Sequence, residues 1–285
     1  FMFTLSSIRQ KARLSLRRNP TSFKIVLLPV LLTLLINLFT NSQTDMERVA
    51  DISQDTQASI YYLLSILGFT SFYRLLLALL LLSVSYSLFL LMLGKKATGK
   101  LSDSLAIFSH PSFGKFLAVF SLKTILLILW SLIFYIGAFL LLGSSILISN
   151  LSAELLQANS VEVQESLTGM IAIGFLVFIA GLFLVCIGLA IYLPQVYAYS
   201  QAENILFQRL EADTYTSARA ILKESRQLMK GYKWKRSLLD LSFLGWFILT
   251  IITSGLADFY VLPYHKTAQI YFYQAILEEK STKSI

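Results

Sequence analysis

Residues 169–194 read GMIAIGFLVFIAGLFLVCIGLAIYLP, a run with no charge that closes at Pro194. A helix needs about 20 such residues to cross the ~30 Å hydrocarbon core, so this stretch reads as a membrane span. Upstream, 122–148 forms a comparable span, entered through an amphipathic stretch near Ser112–Lys123. Residues 149–168 between them carry Glu154, Glu162 and Glu165 without a base and read as an acidic loop.

Working outward, residues 23–40 read as a first span that Pro29 can kink, and 74–94 as a second, stopped by Lys95 and Lys96. Residues 60–94 are almost continuously apolar, and a straight helix of that length would reach about 52 Å. Ile60–Phe72 is therefore assigned to a short interfacial or re-entrant helix with Tyr61, Tyr62 and Tyr73 at the headgroup level. The apolar region 238–277 is too long for one span, and Ser254-Gly255 divides it into 238–254 and 256–277. The expected fold is all-α and polytopic, one membrane domain over 1–285 with six spans. Five spans, with the last segment on the outer surface, is the alternative.

Charge orients these spans. Bases fill the gaps Arg9–Lys24, Lys95–Lys123 and Arg209–Arg236, whereas Asp45, Glu47, Asp51 and Asp55 face only Arg48 in the loop 41–59. Bases near span ends stay on the cytoplasmic side, which puts both termini there and the acidic loops outside. Arg13, Arg17, Arg18 and Lys24 ahead of Ile25–Thr40 imitate a signal peptide, but no small-x-small site follows. An uncleaved first span is expected, with Met2 as the native start behind Phe1.

Composition agrees. Hydrophobic residues make up 56% of 285 and charged residues 14%, against about 25% charged in ordinary soluble domains. Mean hydropathy is +0.68. The net charge of +8 sits beside the spans rather than on a separate domain, which favours an anionic membrane surface over nucleic acid. Cys186, the one cysteine, lies in an apolar run, which excludes an intramolecular disulfide and a thiolate metal cluster.

Two cytoplasmic helices are expected beside the spans. Residues 3–19 place Leu5, Ile8, Ala12 and Leu16 at helical spacing among Arg9, Lys11, Arg13, Arg17 and Arg18, as in a helix lying on the inner leaflet. Within the loop 195–237, Thr216 or Ser217 caps a helix with Ala218, Ile221, Leu222, Leu228 and Met229 on its apolar side, stopped by Gly231. Arg219, Lys223, Arg226, Lys230, Lys233, Lys235 and Arg236 line its other face and exit, the candidate contact for lipid headgroups or a partner. Each base near an anionic leaflet contributes about 1 kcal/mol.

Over 218–245 the chain reads ARAILKESRQLMKGYKWKRSLLDLSFLG, followed by Trp246-Phe247 and later Val261-Leu262-Pro263-Tyr264. With Leu129-Trp130-Ser131-Leu132, Tyr197-Ala198-Tyr199-Ser200 and Ala202-Glu203-Asn204, this series resembles the DUF975 family of bacterial membrane proteins. The resemblance covers most of the chain and is most specific over 197–277. It implies a bacterial cytoplasmic membrane protein and supplies no catalytic or binding residue. The chain departs from the family pattern at Ile205, where a proline is usual, and in the charged pair His265-Lys266. The acidic loop 149–168 also stands where the family has a tight Pro-Gly turn.

Catalytic signatures are missing. No His/Cys/carboxylate grouping has zinc-ligand spacing, no Gly-x-Ser-x-Gly elbow occurs, and no phosphate-binding glycine loop occurs. No enzyme and no cofactor is expected. His110, in Ser109-His110-Pro111, reads as a solvated loop residue, and Asp240 as a local ion-pair and helix N-terminal partner of the bases before it. Trp234 and Trp246 read as interface anchor and interhelix packing.

Ionisable groups inside spans are costly and are usually functional or paired. Arg74, Asp258, Tyr264, His265, Lys266 and Gln269 therefore form a candidate polar site between the last hairpin and span two. The plainer reading is that Arg74 and Asp258 snorkel outward and Lys266 reaches an interface. Two function classes follow. One is an accessory or regulatory envelope protein that binds anionic lipid or a protein partner, a homo-oligomer included. The other is a small transporter or channel-like exporter for a lipid, peptide or ion.

Overall fold

The computed structural model describes residues 3–43 and 56–283, and they are helical throughout, with short connections. Helix α1 spans Leu5–Arg18, α2 Ser22–Gln43 and α3 Thr56–Met92; a 3-10 turn at Leu101–Leu105 follows. Then come α4 (Phe113–Gln157), α5 (Val161–Ala198), α6 (Ala202–Glu211) and α7 (Ala218–Leu228). Helices α8 (Lys233–Leu241), α9 (Leu244–Ile252) and α10 (Asp258–Lys283) complete the chain. Phe1, Met2 and residues 44–55 of the acidic loop 41–59 lie outside the described residues.

Among the described residues three segments are long and apolar enough to cross a membrane: Ser71–Met92, Phe113–Gln157 and Val161–Glu211. The pair α1–α2, bent by 98°, makes a fourth if counted as one. Six spans, and equally five, are therefore corrected to three or four. The expected span 238–254 is broken into α8 and α9, nine residues each, and nine residues rise only about 13 Å. The expected span 256–277 falls in α10 from Asp258 onward, but Asp258, His265, Lys266 and Gln269 make it too polar to qualify, and it packs into the protein body. The break at Ser254-Gly255 is real: both residues take positive φ, and the turn sits beside α2, where Asn37 Nδ2 donates to Ser254 O at 3.4 Å.

Two further expectations change. Residues 60–72 form no separate element, since α3 runs unbroken from Thr56 to Met92. The acidic loop 149–168 is helix at both ends: α4 continues to Gln157, α5 begins at Val161, and only 158–160 connect them. Glu162 lies in the first turn of α5, where the helix dipole favours a carboxylate. Pro194 lies inside α5 rather than closing it.

Helices α4 and α5 form a long antiparallel hairpin held by small residues. Gly174, Gly181 and Gly188 recur every seventh position on the buried side of α5, and Gly137, Ser144 and Leu151 do so on α4. At Gly188 an added Cβ would stand 2.4 Å from Phe134 N, so only glycine lets the backbones approach this closely. The outer faces are apolar and open, with Phe139 76% and Phe183 66% exposed, as suits a surface solvated by lipid.

The remaining helices pack into a body at one end of the spans. Thr4 caps α1 by accepting from Ser7 N at 3.2 Å, and Arg17 and Arg18 occupy its last turn. The expected apolar face holds, with Ile8, Ala12 and Leu16 buried, but α10 covers it. Ser217 caps α7 at 3.2 Å from Ala220 N, Gly231 follows it with φ +87°, and Ile221, Leu222, Leu228 and Met229 join the core. Neither amphipathic helix leaves its apolar face free for a leaflet, so the expectation that they lie on lipid by that face is corrected. The loop after α3 is pinned at Gly99, whose N–H donates to Thr21 Oγ1 at 3.0 Å.

Candidate functional site

Helix α10 brings Tyr264, His265, Lys266 and Gln269 into the body, and the neighbouring helices supply charges to meet them. Lys266 Nζ lies 3.9 Å from Glu203 Oε2 on α6. The other oxygen of that carboxylate accepts from Lys123 Nζ on α4 at 2.7 Å. Beside Lys266 on α10, His265 Nε2 lies 2.7 Å from Asp240 of α8, which also accepts from Arg236 at 2.5 Å. The Gln269 amide stands 3.3 Å from His265 Nδ1. Phe243 and Phe247 flank the imidazole, and Tyr264 packs 4.8 Å from Phe243.

The electrostatics are those of a largely buried charge cluster. Burial pushes His265 below its ordinary range more than the hydrogen bond to Asp240 lifts it, and Arg236 opposes its charging as well. The neutral ring thus donates Nε2–H to Asp240 and offers Nδ1 to Gln269. Burial alone would raise the Asp240 carboxyl, but the His265 hydrogen bond and the Arg236 charge outweigh it and hold Asp240 ionised below the usual range. Burial likewise lowers Lys266, with Glu203 offsetting part of the effect. Lys123, Lys266 and Arg236 thus meet Glu203 and Asp240, three cations against two carboxylates. Arg236 Nε and Thr267 Oγ1 are buried with no hydrogen-bond partner among the described residues.

Of the expected polar site, Tyr264, His265, Lys266 and Gln269 come together and Arg74 and Asp258 do not. Arg74 is exposed on α3. Asp258 heads α10 and accepts from Thr250 Oγ1 at 2.9 Å. The site therefore faces α4, α6 and α8 rather than span two. Asp240 sits in the last turn of α8, so its expected N-terminal role is corrected to a bridge between Arg236 and His265.

Among the expected contact residues, Arg219, Lys223, Arg226 and Lys230 are exposed, while Lys233 and Lys235 are half-buried. Arg236 is buried in the cluster. His110 is also corrected: its Nδ1 accepts from Ser112 N at 3.0 Å, and its Nε2 stands 3.3 Å from Tyr86 Oη, which donates to Glu211 at 2.8 Å. Trp234 is 72% exposed, and Trp246 packs 5.4 Å from Tyr260.

A family model described as a protein of unknown function, DUF975, matches residues 2–280. The chain belongs to the DUF975 family. No curated protein and no solved structure matches this DUF975 protein. The DUF975-like series has a structural meaning here. Leu228-Met229-Lys230-Gly231 closes α7, and Leu239-Asp240-Leu241-Ser242-Phe243 delivers both the Asp240 bridge and the Phe243 ring.

Lys123 and Glu203 were not singled out from the sequence as site residues. Their signal was available: a lone base near the start of one apolar run and a lone acid just past the end of the next. On an antiparallel hairpin such positions fall at the same level.

Proposed function

We propose that this DUF975 protein is a non-enzymatic accessory or regulatory protein of the bacterial cytoplasmic membrane, both termini cytoplasmic, holding anionic lipid or an acidic membrane partner on its basic pole. The observation that carries the reading is the split on α7. Its apolar residues are locked into the core, and Arg219, Lys223, Arg226 and Lys230 face outward. A contact made this way is electrostatic and non-inserting, and salt should screen it over about 10 Å at 0.1 M.

The test is lipid selectivity in reconstituted bilayers. The exposed Trp234 reports proximity when quenched by brominated phosphatidylglycerol or brominated phosphatidylcholine. Preferential quenching by the anionic lipid, lost in R219Q/K223Q/R226Q/K230Q, supports the reading. Equal quenching by both lipids sinks it.

The buried charges around His265 and Lys266 favour a second reading, a small transporter or channel-like exporter for a lipid, peptide or ion, because buried ionisable groups beside membrane spans are costly and commonly functional. Ion or lipid flux in proteoliposomes that disappears in H265Q or K266Q would install it over the first.

A further inference from the structure

Helix α1 carries Arg9, Lys11, Arg13, Arg17 and Arg18 and no acid. Arg9, Arg13 and Arg17 repeat every fourth residue, so they stand in one row along the flank of the buried Ile8–Ala12–Leu16 stripe. With Ser6, Gln10 and Leu14 they enclose a shallow groove of about 370 Å³. Arg9 Nε is shielded from solvent and has no hydrogen-bond partner among the described residues. None of the three guanidiniums is in an ion pair there with a carboxylate of the chain. Like charges four residues apart repel, so an anion that the chain itself does not supply would stabilise the row.

Its placement says which anion. Helix α1 meets α2 at 98°, so with α2 crossing the bilayer α1 runs along the membrane surface. The Arg13 guanidinium stands 6.0 Å over the Tyr264 ring, and Tyr264 and Tyr260 pack with Trp246. Tyr260 also stacks on Phe23 in the first turns of α2. Tyr264 is buried, but Trp246 is 39% exposed and Tyr260 half-buried; tyrosine and tryptophan gather at the level of lipid headgroups, where an arginine row would meet the phosphates. The planar guanidinium fork matches a phosphodiester's paired oxygens.

We propose that the Arg9–Arg13–Arg17 row is a binding site for the phosphate of an anionic phospholipid headgroup. It rests on the reading that the basic pole faces an anionic leaflet, and it adds to the α7 face a defined phosphate site on α1.

The experiment is native mass spectrometry of the full chain in nonionic detergent, titrated separately with phosphatidylglycerol, phosphatidylcholine and inorganic phosphate. R9Q/R17Q leaves Arg13 on Tyr264 and keeps that packing; R17Q alone alters one exposed position. The wild type should prefer phosphatidylglycerol to phosphatidylcholine. R9Q/R17Q should weaken phosphatidylglycerol roughly thirtyfold and R17Q several-fold, with unfolding midpoints unchanged. Phosphatidylglycerol affinity within twofold of wild type in R9Q/R17Q overturns the site. Inorganic phosphate bound as tightly as phosphatidylglycerol also overturns it, since the site would then serve a free anion. R219Q/K223Q/R226Q/K230Q separates the two readings. If only that variant loses lipid, the α1 site falls and the basic-pole reading stands; if neither does, both fall.

Discussion

Lys123 of α4 and Glu203 of α6 meet at 2.7 Å, and the same carboxylate turns its second oxygen to Lys266 of α10 at 3.9 Å. One side chain thus ties the long hairpin to the last helix.

Removing Lys123 leaves Glu203 with only its distant partner. K123L should lower stability by about 2 kcal/mol, between the values for exposed and fully buried pairs. E203Q should cost about as much, and the double variant K123L/E203Q should cost less than the sum of the two single losses. Thermal unfolding midpoints in detergent check this; additive losses in the double variant would refute a direct pair.

His265 makes stability depend on pH, and the sign is fixed by its lowered pKa. Its ordinary value is 6.5 and the folded value lies below it. Above pH 6.5 the ring is neutral in both states and its contribution is complete. As pH falls below that, the unfolded chain takes up the proton first and stability drops. Asp240 adds a loss only at lower pH, below its ordinary 3.8. The unfolding midpoint should therefore fall as the pH drops below the ordinary histidine value of 6.5, and H265Q should flatten that slope. A wild-type slope retained in H265Q assigns the titration elsewhere.

Gly188 is the tightest point of the hairpin, since a Cβ there would stand 2.4 Å from Phe134 N and 2.5 Å from its Cα. Both are backbone atoms and cannot swing aside. G188L should cost about 1–3 kcal/mol as the helices separate. G143L, where nothing lies within 4 Å of the added Cβ, should cost little. Comparing the two midpoints isolates the close approach from helix propensity.

The proposed orientation puts the 158–160 turn and α7 on opposite sides of the membrane. In a C186S background, a cysteine at Asn159 should react with an impermeant maleimide on intact cells, and one at Lys223 only after permeabilisation. The reverse pattern would invert the protein.

Much of this was legible in the residues. Alternating apolar runs gave the all-helical class, and the three-four spacing of Ile8, Ala12 and Leu16, and of Ala218, Ile221 and Leu222, gave two amphipathic faces that pack against the core. Composition alone could not tell what covers such a face, because lipid and protein are equally apolar. The span count failed for a related reason. Residues 238–277 are apolar enough overall, yet Ser242 and Phe243 fall in a helix break, and α10 shares its length between a packed core face and charged positions. Tyr264, His265, Lys266 and Gln269 were found because charge in an apolar run is rare. Lys123 and Glu203 were not, because each is unremarkable until the hairpin sets them side by side.

The three-residue link between α4 and α5 bears on how the protein is made. A long polar loop would have to be carried through the bilayer as unfolded chain, after one helix was already in place. With only Ala158, Asn159 and Ser160 outside helix, the two helices can enter the membrane together, already zipped along Gly174, Gly181 and Gly188. In the proposed orientation, what must then be translocated is the tip with Glu154, Glu162 and Glu165, a small acidic cargo that a positive-outside membrane potential pulls outward.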